Sequence, residues 1–227
     1  MHDIIRKWYS ELDSSVCSRV NLCGFKPLLD SLDGRQVEYG LIQSLAEHWW
    51  DTTHTFHFQG VGEMAMTPKD FSAITGLAVA GRPIVMDKYI HLNKVLLTEL
   101  MGPKICESEG STVNPQWLYN SYRCRDCNIE NEIAIVVRAF VLGLLGAVVF
   151  AEQENIVPME YLSCLVDIDK IASYNWGGAA LAYQYHQMDD LCRGRTCTIG
   201  GMWRAWEVTT NFISLFCRRV YYTLMQF

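Results

Sequence analysis

Charge is scarce in this chain of 227 residues: only 19% are Asp, Glu, Lys or Arg, and their balance is −6. Clustered basic residues are scarcer still, with Arg218-Arg219 and the spaced pair Arg193/Arg195 the densest examples. Phosphate-backbone binders draw their affinity from grouped Lys and Arg, so net charge gives a nucleic-acid partner no support. Low charge combined with 50% hydrophobic and 12% aromatic residues also excludes a disordered chain. Repeats and low-complexity tracts are missing. So are a nucleotide loop, a Rossmann glycine pattern, a Ser nucleophile elbow and an Asp-Gly metal loop, which removes the most readily recognised enzyme classes. Met1–Leu12 is polar and lacks the apolar stretch of a signal peptide. No Lys/Arg-rich nuclear signal is present.

Regular cysteine pairing is missing too. The nine Cys are odd in number and unevenly spaced, and Cys164 and Cys217 sit in apolar, helix-like stretches. Free Cys behaves as a small buried hydrophobe, so the pattern points to a reducing compartment, cytosol or nucleus. One apolar run is long. Ile133–Ala151 carries Arg138 near its start, leaving only Ala139–Ala151 uncharged, which is shorter than the roughly 20 residues a bilayer span requires. A central buried helix is expected there, with no membrane role.

Periodicity supplies the rest. Helical spacing marks Asp3–Leu12, Val37–Trp50, Asp87–Met101, Trp117–Cys127, Glu130–Glu152, Pro158–Ile168, Ala172–Met188 and most of Met202–Phe227. Phe25–Leu32, Lys104–Pro115 and Arg193–Gly201 read as loops. At Thr53–Phe58 the period becomes two, with His54, Phe56 and Phe58 on one face and Thr53, Thr55 and His57 on the other. A hairpin over Thr53–Met66 that pairs Phe58 with Met64 and Phe56 with Met66 puts four large apolar side chains together. Thr67, Pro68 and Asp70 then mark a capped helix start, Met66 and Phe71 a hydrophobic staple, and Gly76 a helix stop. The expected fold class is mainly α: a single globular helical domain with one small β-hairpin.

The run from His48-Trp49-Trp50-Asp51-Thr52-Thr53-His54-Thr55-Phe56-His57-Phe58 through Gly62-Glu63, Thr67, Asp70, Gly76-Leu77 and Gly81 resembles the plant mobile domain. Tyr161-Leu162 and Tyr174-Asn175-Trp176-Gly177-Gly178-Ala179-Ala180-Leu181-Ala182, with Tyr185 and Ile199-Gly200-Gly201, resemble its second half. The resemblance covers roughly residues 28 to 207. It implies a division into a lead-in helix and loop (1–27), the mobile domain (28–207) and a divergent C-terminal helix (208–227). It also implies kinship with the maintenance-of-meristems group, a nuclear location, a role in silencing genes and transposons and in meristem maintenance, and a phosphoprotein phosphatase or related mobile-domain protein as partner. The chain departs from the family at Trp50, where an Arg is usual, and after Glu207.

The family's aminotransferase-like label is a separate matter. Pyridoxal-phosphate chemistry needs a Schiff-base lysine in a phosphate cradle. Lys88, Lys94, Lys104 and Lys170 stand in no such context, so no cofactor is expected and the chain is read as a non-enzyme. His54 and His57 lie three apart on a strand and face opposite ways, so they do not share a metal. His54 is expected on the core side. His57 and Glu63 share the outer face, with Glu63 diagonal to His57, as a cross-strand contact or an acid/base couple. Cys124 and Cys127 have half-zinc-site spacing, with Cys192, Cys197 and His186 as loose complements; scattered structural cysteines are the stronger reading. Gly177-Gly178 reads as a close-packing element, against the Gly143/Gly146 helix, ahead of a phosphate-binding turn. The leading expectation is a protein-interaction scaffold. A transposon-derived nucleic-acid-binding module using the Thr67–Gly76 helix comes second, and a cryptic enzyme centred on His57/Glu63 third.

Overall fold

A computed structural model describes residues 2–32, 39–60, 62–108, 110–123, 129–151, 156–197, 200–202 and 205–206. The expected tail helix at 208–227 and the pair Cys124/Cys127 lie outside them. The fold is mainly α. Helices α1 (His2–Glu11), α2 (Ser14–Val20), α3 (Lys26–Ser31) and α4 (Tyr39–Glu47) lead into strands β1 (Trp49–Trp50), β2 (Thr55–Phe58) and β3 (Gly62–Met64). Helices α5 (Pro68–Thr75) and α6 (Lys94–Met101), strand β4 (Thr112–Val113), helices α7 (Pro115–Tyr122) and α8 (Glu130–Leu144), strand β5 (Val157–Pro158) and helix α9 (Trp176–Cys192) follow.

Helix α8, prolonged by a π-helical turn at Leu145–Val149, is the axis of one half and packs against α1, α2, α6 and α7. The most apolar 18-residue window of Glu130–Val149 has a mean hydropathy of 2.3, enough by composition to cross a membrane, yet 78% of that window is buried inside the protein. Its one interior cation, Arg138, donates to the carbonyls of Leu165 (3.0 Å), Leu100 (3.2 Å) and Val166 (3.0 Å). A half-buried guanidinium is tolerable when its inward donors are filled, and these carbonyls take three of its five N–H groups. In the other half, α9 packs on α4, α5 and β1.

Several expectations change. Phe25–Leu32 is no loop: Pro27 falls in the first turn of α3, where its missing N–H costs nothing. The Val37–Trp50 helix stops at Glu47, and the β-favouring pair Trp49-Trp50 joins the sheet as β1. Asp87–Met101 splits into a 3-10 turn at Ile90–Leu92 and α6, because the Asn93 side chain caps Leu96 N–H (3.1 Å) and restarts the helix. Pro158–Ile168 is a 3-10 turn at Met159–Cys164, and the Lys104–Pro115 loop contains a 3-10 turn and β4, paired with β5.

The hairpin register is also corrected. Phe56 opposes Met64, His57 opposes Glu63 and Phe58 opposes Gly62, two residues from the expected pairing. Gly60 (φ 78°) and Gly62 (φ 101°) both hold left-handed backbone where β2 gives way to β3. A shift of two preserves the faces, and Trp49, Phe56 and Met64 still share one side.

The helix start after the hairpin is as expected. Thr67 Oγ1 accepts from Asp70 N–H (3.2 Å), while the Asp70 carboxylate accepts from Thr67 N–H (3.0 Å). Met66 and Phe71, either side of the cap, are buried. Gly76 closes α5 at φ 72° with the Pro27 ring where a Cβ would sit. Thr67→Ala is therefore expected to lower stability by about 1 kcal/mol in urea unfolding. The Thr67 hydroxyl and N–H hold the Asp70 carboxyl below its ordinary value. Its folded value thus lies below its unfolded one. The Asp70 contribution is complete above roughly pH 4 and is lost as pH falls through the lower folded value. In Asp70→Asn this acid-side loss should be absent from a pH series of unfolding midpoints.

Candidate functional site

The motif residues assemble in two places. The first is an inward tie between the sheet and the end of α9. Leu181, Tyr185 and Asp189 follow at steps of four and share one face of α9. The Asp189 carboxylate, only 8% exposed, accepts from Trp49 Nε1–H (2.8 Å) and is bonded to His54 Nε2 (3.1 Å). Tyr185 lies parallel to the His54 ring (centroids 5.7 Å apart, 8° between planes) and its hydroxyl donates to Met66 O. Burial, and behind it the charge of Asp70, pushes the Tyr185 phenol up. Trp49 and Phe56 pack edge-on to Trp206, closing the cluster from beneath. At its rim Arg193 pairs with Asp51, and that hydrogen bond holds the Asp51 carboxyl below its ordinary value.

His54 does not stand where alternation puts it. It occupies the turn before β2 with φ 53°, the sole non-Gly residue of positive φ among the described residues, and its side chain is 47% exposed. The period-two pattern starts one residue later, at Thr55. His54 is thus a partly solvated ring held by a buried carboxylate, not a core side chain of the strand. Asp189 escaped the sequence reading. Its signal was an acid one helical turn beyond Tyr185 on an apolar face, but nothing local names partners 135 and 140 residues away.

The second place is the outer face of the sheet. His57 lies directly opposite Glu63, not diagonal to it, with Nε2 to Oε1 at 3.5 Å. Thr55 Oγ1 is 3.0 Å from the same nitrogen, and Thr53 Oγ1 is 2.7 Å from Thr55 Oγ1. Trp50 stacks flat on His57 (3.8 Å, 8°) and remains 53% exposed. Nε2 of His57 is therefore already engaged by a hydroxyl and a carboxylate on an outward surface. A cleft of about 460 Å³, between α1 and α7 beside Lys7, Asn114 and Tyr119, is lined by none of these residues.

The second-half motif is also structural in its contacts. Gly81 (φ 135°) faces the Ser173 carbonyl where a Cβ would stand. Arg82 N–H donates to Ser173 O (2.8 Å) and Asn175 N–H to Arg82 O (2.9 Å), and the Arg82 guanidinium lies over the Tyr174 ring (5.0 Å). Gly177 packs on Ala78 and Val79, not on the Gly143/Gly146 helix; Gly143 meets Trp8 and Gly146 meets Val157. Gly177 N–H is bonded to Ala78 O (2.8 Å) and Gly178 N–H to Asn175 Oδ1 (2.9 Å), so neither is available to a phosphate. Trp176 Nε1–H donates to Ile171 O (2.8 Å), while Ala180 and Leu181 are buried. Cys192 and Cys197 are exposed. Among the described residues no group of three His, Cys, Asp or Glu side chains is placed to hold a metal.

Comparison with known families places the sequence that builds these elements. The plant mobile domain matches residues 33–208, and this chain belongs to that family. Protein MAINTENANCE OF MERISTEMS of Arabidopsis thaliana is 34% identical over 165 residues, which is 71% of this chain and 34% of that protein. Protein MAIN-LIKE 2 of the same plant is 33% identical over 164 residues, 71% of this chain and 24% of that protein. A serine/threonine-protein phosphatase 7 long form homolog, also from Arabidopsis, is 33% identical over 184 residues, 76% of this chain and 13% of that protein. The chain thus spans about a third or less of these relatives. No solved structure matches it.

The tie has a measurable weight. Asp189→Leu leaves the buried Trp49 indole N–H unpartnered and frees the His54 turn. It is expected to cost about 2–4 kcal/mol in urea unfolding. His54→Gly should be less damaging than His54→Ala by about 1 kcal/mol, since both lose the bond but only Ala keeps the left-handed strain. Equal stability of the two would contradict left-handed strain at residue 54, and an Asp189→Leu variant as stable as the wild type would contradict the tie.

Proposed function

We propose that this chain is a non-catalytic protein-interaction domain. It would act in nuclear silencing of genes and transposons and in meristem maintenance, with a phosphatase-type protein as partner. The reading draws on the family, on the meristem name of one relative and on the phosphatase name of another.

The observation that carries it is the Trp50–His57 stack. A large aromatic, half exposed and held flat by a neighbouring ring, loses little further freedom on binding and suits a partner anchor. Trp49 turns inward to Asp189, Thr67 and Asp70 are occupied in capping α5, and Gly81 and Gly177 pack against backbone, so within the motif the outer face of the sheet is the part best placed to recognise a partner. His57 and Glu63 belong to that face as supports of the stack, not as an acid/base couple. An acidic chain with few grouped cations favours this reading over nucleic-acid binding.

Affinity purification of the tagged chain from plant nuclei tests it. A stable partner is expected with the wild type. Trp50→Ala should weaken recovery by at least about tenfold in affinity, or roughly 1.4 kcal/mol, while lowering folding stability by no more than about 1 kcal/mol, the size of one half-exposed ring stack. Failure to recover any partner above background defeats the interaction reading. Salt-dependent retention on DNA by the purified chain would replace it with the nucleic-acid one.

A further inference from the structure

Five of the nine large exposed apolar side chains among the described residues fall within residues 85–95. Val85, Tyr89, Leu92 and Val95 are each at least 67% exposed, and Met86 is 38% exposed. Isolated surface hydrophobes need no explanation, whereas such a cluster marks a contact surface. Tyr89 and Leu92 stand three apart at the 3-10 turn, where such positions eclipse, and Val95 follows in the first turn of α6. Ile90 and Leu97 take the opposite, buried side.

The segment is held rigidly. Ser163 Oγ accepts from Asp87 N–H (3.2 Å) and donates to Glu160 O (2.5 Å), while Cys164 Sγ–H points to Val85 O (3.6 Å), so the segment is tied to the Met159–Cys164 turn. Asp87 Oδ1 accepts from Tyr89 N–H (2.9 Å). The apolar row is therefore presented in a fixed geometry, which lowers the ordering cost of binding.

Its charge departs from that of the rest of the chain. Residues 82–95 carry Arg82, Lys88 and Lys94 against the single acid Asp87, in a chain of net −6. That acid is already committed to the turn. Arg6, Arg19, Lys26, Lys170, Arg193 and Arg195 all pair with carboxylates. Lys88 and Lys94, both exposed, form no ion pair within the described residues. Two unpaired cations beside an apolar row complement a helix with Leu or Phe on one face and Asp or Glu along its edges. A lipid surface fits less well, since a net acidic body is repelled by anionic headgroups that two lysines attract only weakly.

We infer that Val85–Val95 is a docking surface for an acidic amphipathic helix of a partner protein. The inference rests on the reading of this chain as an interaction domain and adds a second contact surface to it. The probe is a synthetic helical peptide with Leu and Phe on one face and Glu elsewhere, followed by fluorescence anisotropy on the full chain. Its counterpart has every Glu replaced by Lys.

The Glu peptide should bind saturably and the Lys peptide should not. Lys88→Glu/Lys94→Glu and, separately, Leu92→Ser/Val95→Ser should each weaken binding by at least about tenfold, with unchanged circular dichroism and melting. Trp50→Ala should leave it unaffected. No binding of the Glu peptide, or equal binding by these variants, overturns the surface. Uptake by phosphatidylserine vesicles without peptide binding would assign the segment to a membrane. Concentration-dependent dimerisation abolished by Leu92→Ser/Val95→Ser would assign it to a second copy. Peptide binding with no nuclear partner recovered would defeat the nuclear-partner reading and leave this surface standing. A nuclear partner recovered without peptide binding would fault this surface alone.

Discussion

A carboxylate withdrawn from water is costly unless its oxygens are filled, and the one at Asp189 is filled from two directions. Trp49 comes from the first residue of β1 and His54 from the turn before β2, so a single side chain of α9 fixes both ends of the β1–β2 connection. Met66, which precedes the α5 cap, is held by Tyr185 from one turn earlier on the same helix. The sheet alone is too small to be stable, since a few short strands need a packed partner. In this fold α9 is that partner, and the rings of Trp49, Phe56, Tyr185 and Trp206 pack together beside the carboxylate.

Local chemistry was readable in advance. The capping box, the staple and the Gly76 stop need only residues within a few positions of each other, and each stands in the structure as spacing implies. The core face of the hairpin was readable for the same reason, because alternation fixes faces. Register was not. It depends on where left-handed glycines let the chain reverse, and two glycines flanking residue 61 permit more than one answer. His54 was misplaced because alternation carries no information on where a strand begins. Its left-handed backbone is maintained by a partner 135 residues away. Pro27 misled in a simpler way, since proline breaks helices in their middle and starts them at their ends.

The long apolar helix illustrates how one residue can separate two fates. By length and hydropathy Glu130–Val149 qualifies for a bilayer. Arg138 finds three carbonyls from α6 and from the turn at Leu165–Val166, an arrangement that presupposes protein on that side of the helix. Its few flanking acids and that one cation mark the places where neighbouring elements cross α8. Arg19 makes the same point at the helix start, bridging Glu130 to Asp169.

The family motif thus has two meanings that geometry separates. Trp49 and His54 bond to Asp189, Thr67 and Asp70 cap α5, and Gly76, Gly81 and Gly177 allow close backbone packing; all of these hold the fold, and replacing them would disturb any function through stability. Trp50, His57 and Glu63 are the motif's outward remainder. The resemblance implies an Arg at position 50, and an Arg on this strand would offer His57 a planar cation in place of the Trp50 ring. Both groups can lie flat on an imidazole, but Arg brings charge and five donors whereas Trp brings apolar area and one donor. A partner matched to Trp50 would therefore present an apolar pocket, where one matched to Arg would present a carboxylate. Specificity among related domains can change at this position without any change in the fold beneath it.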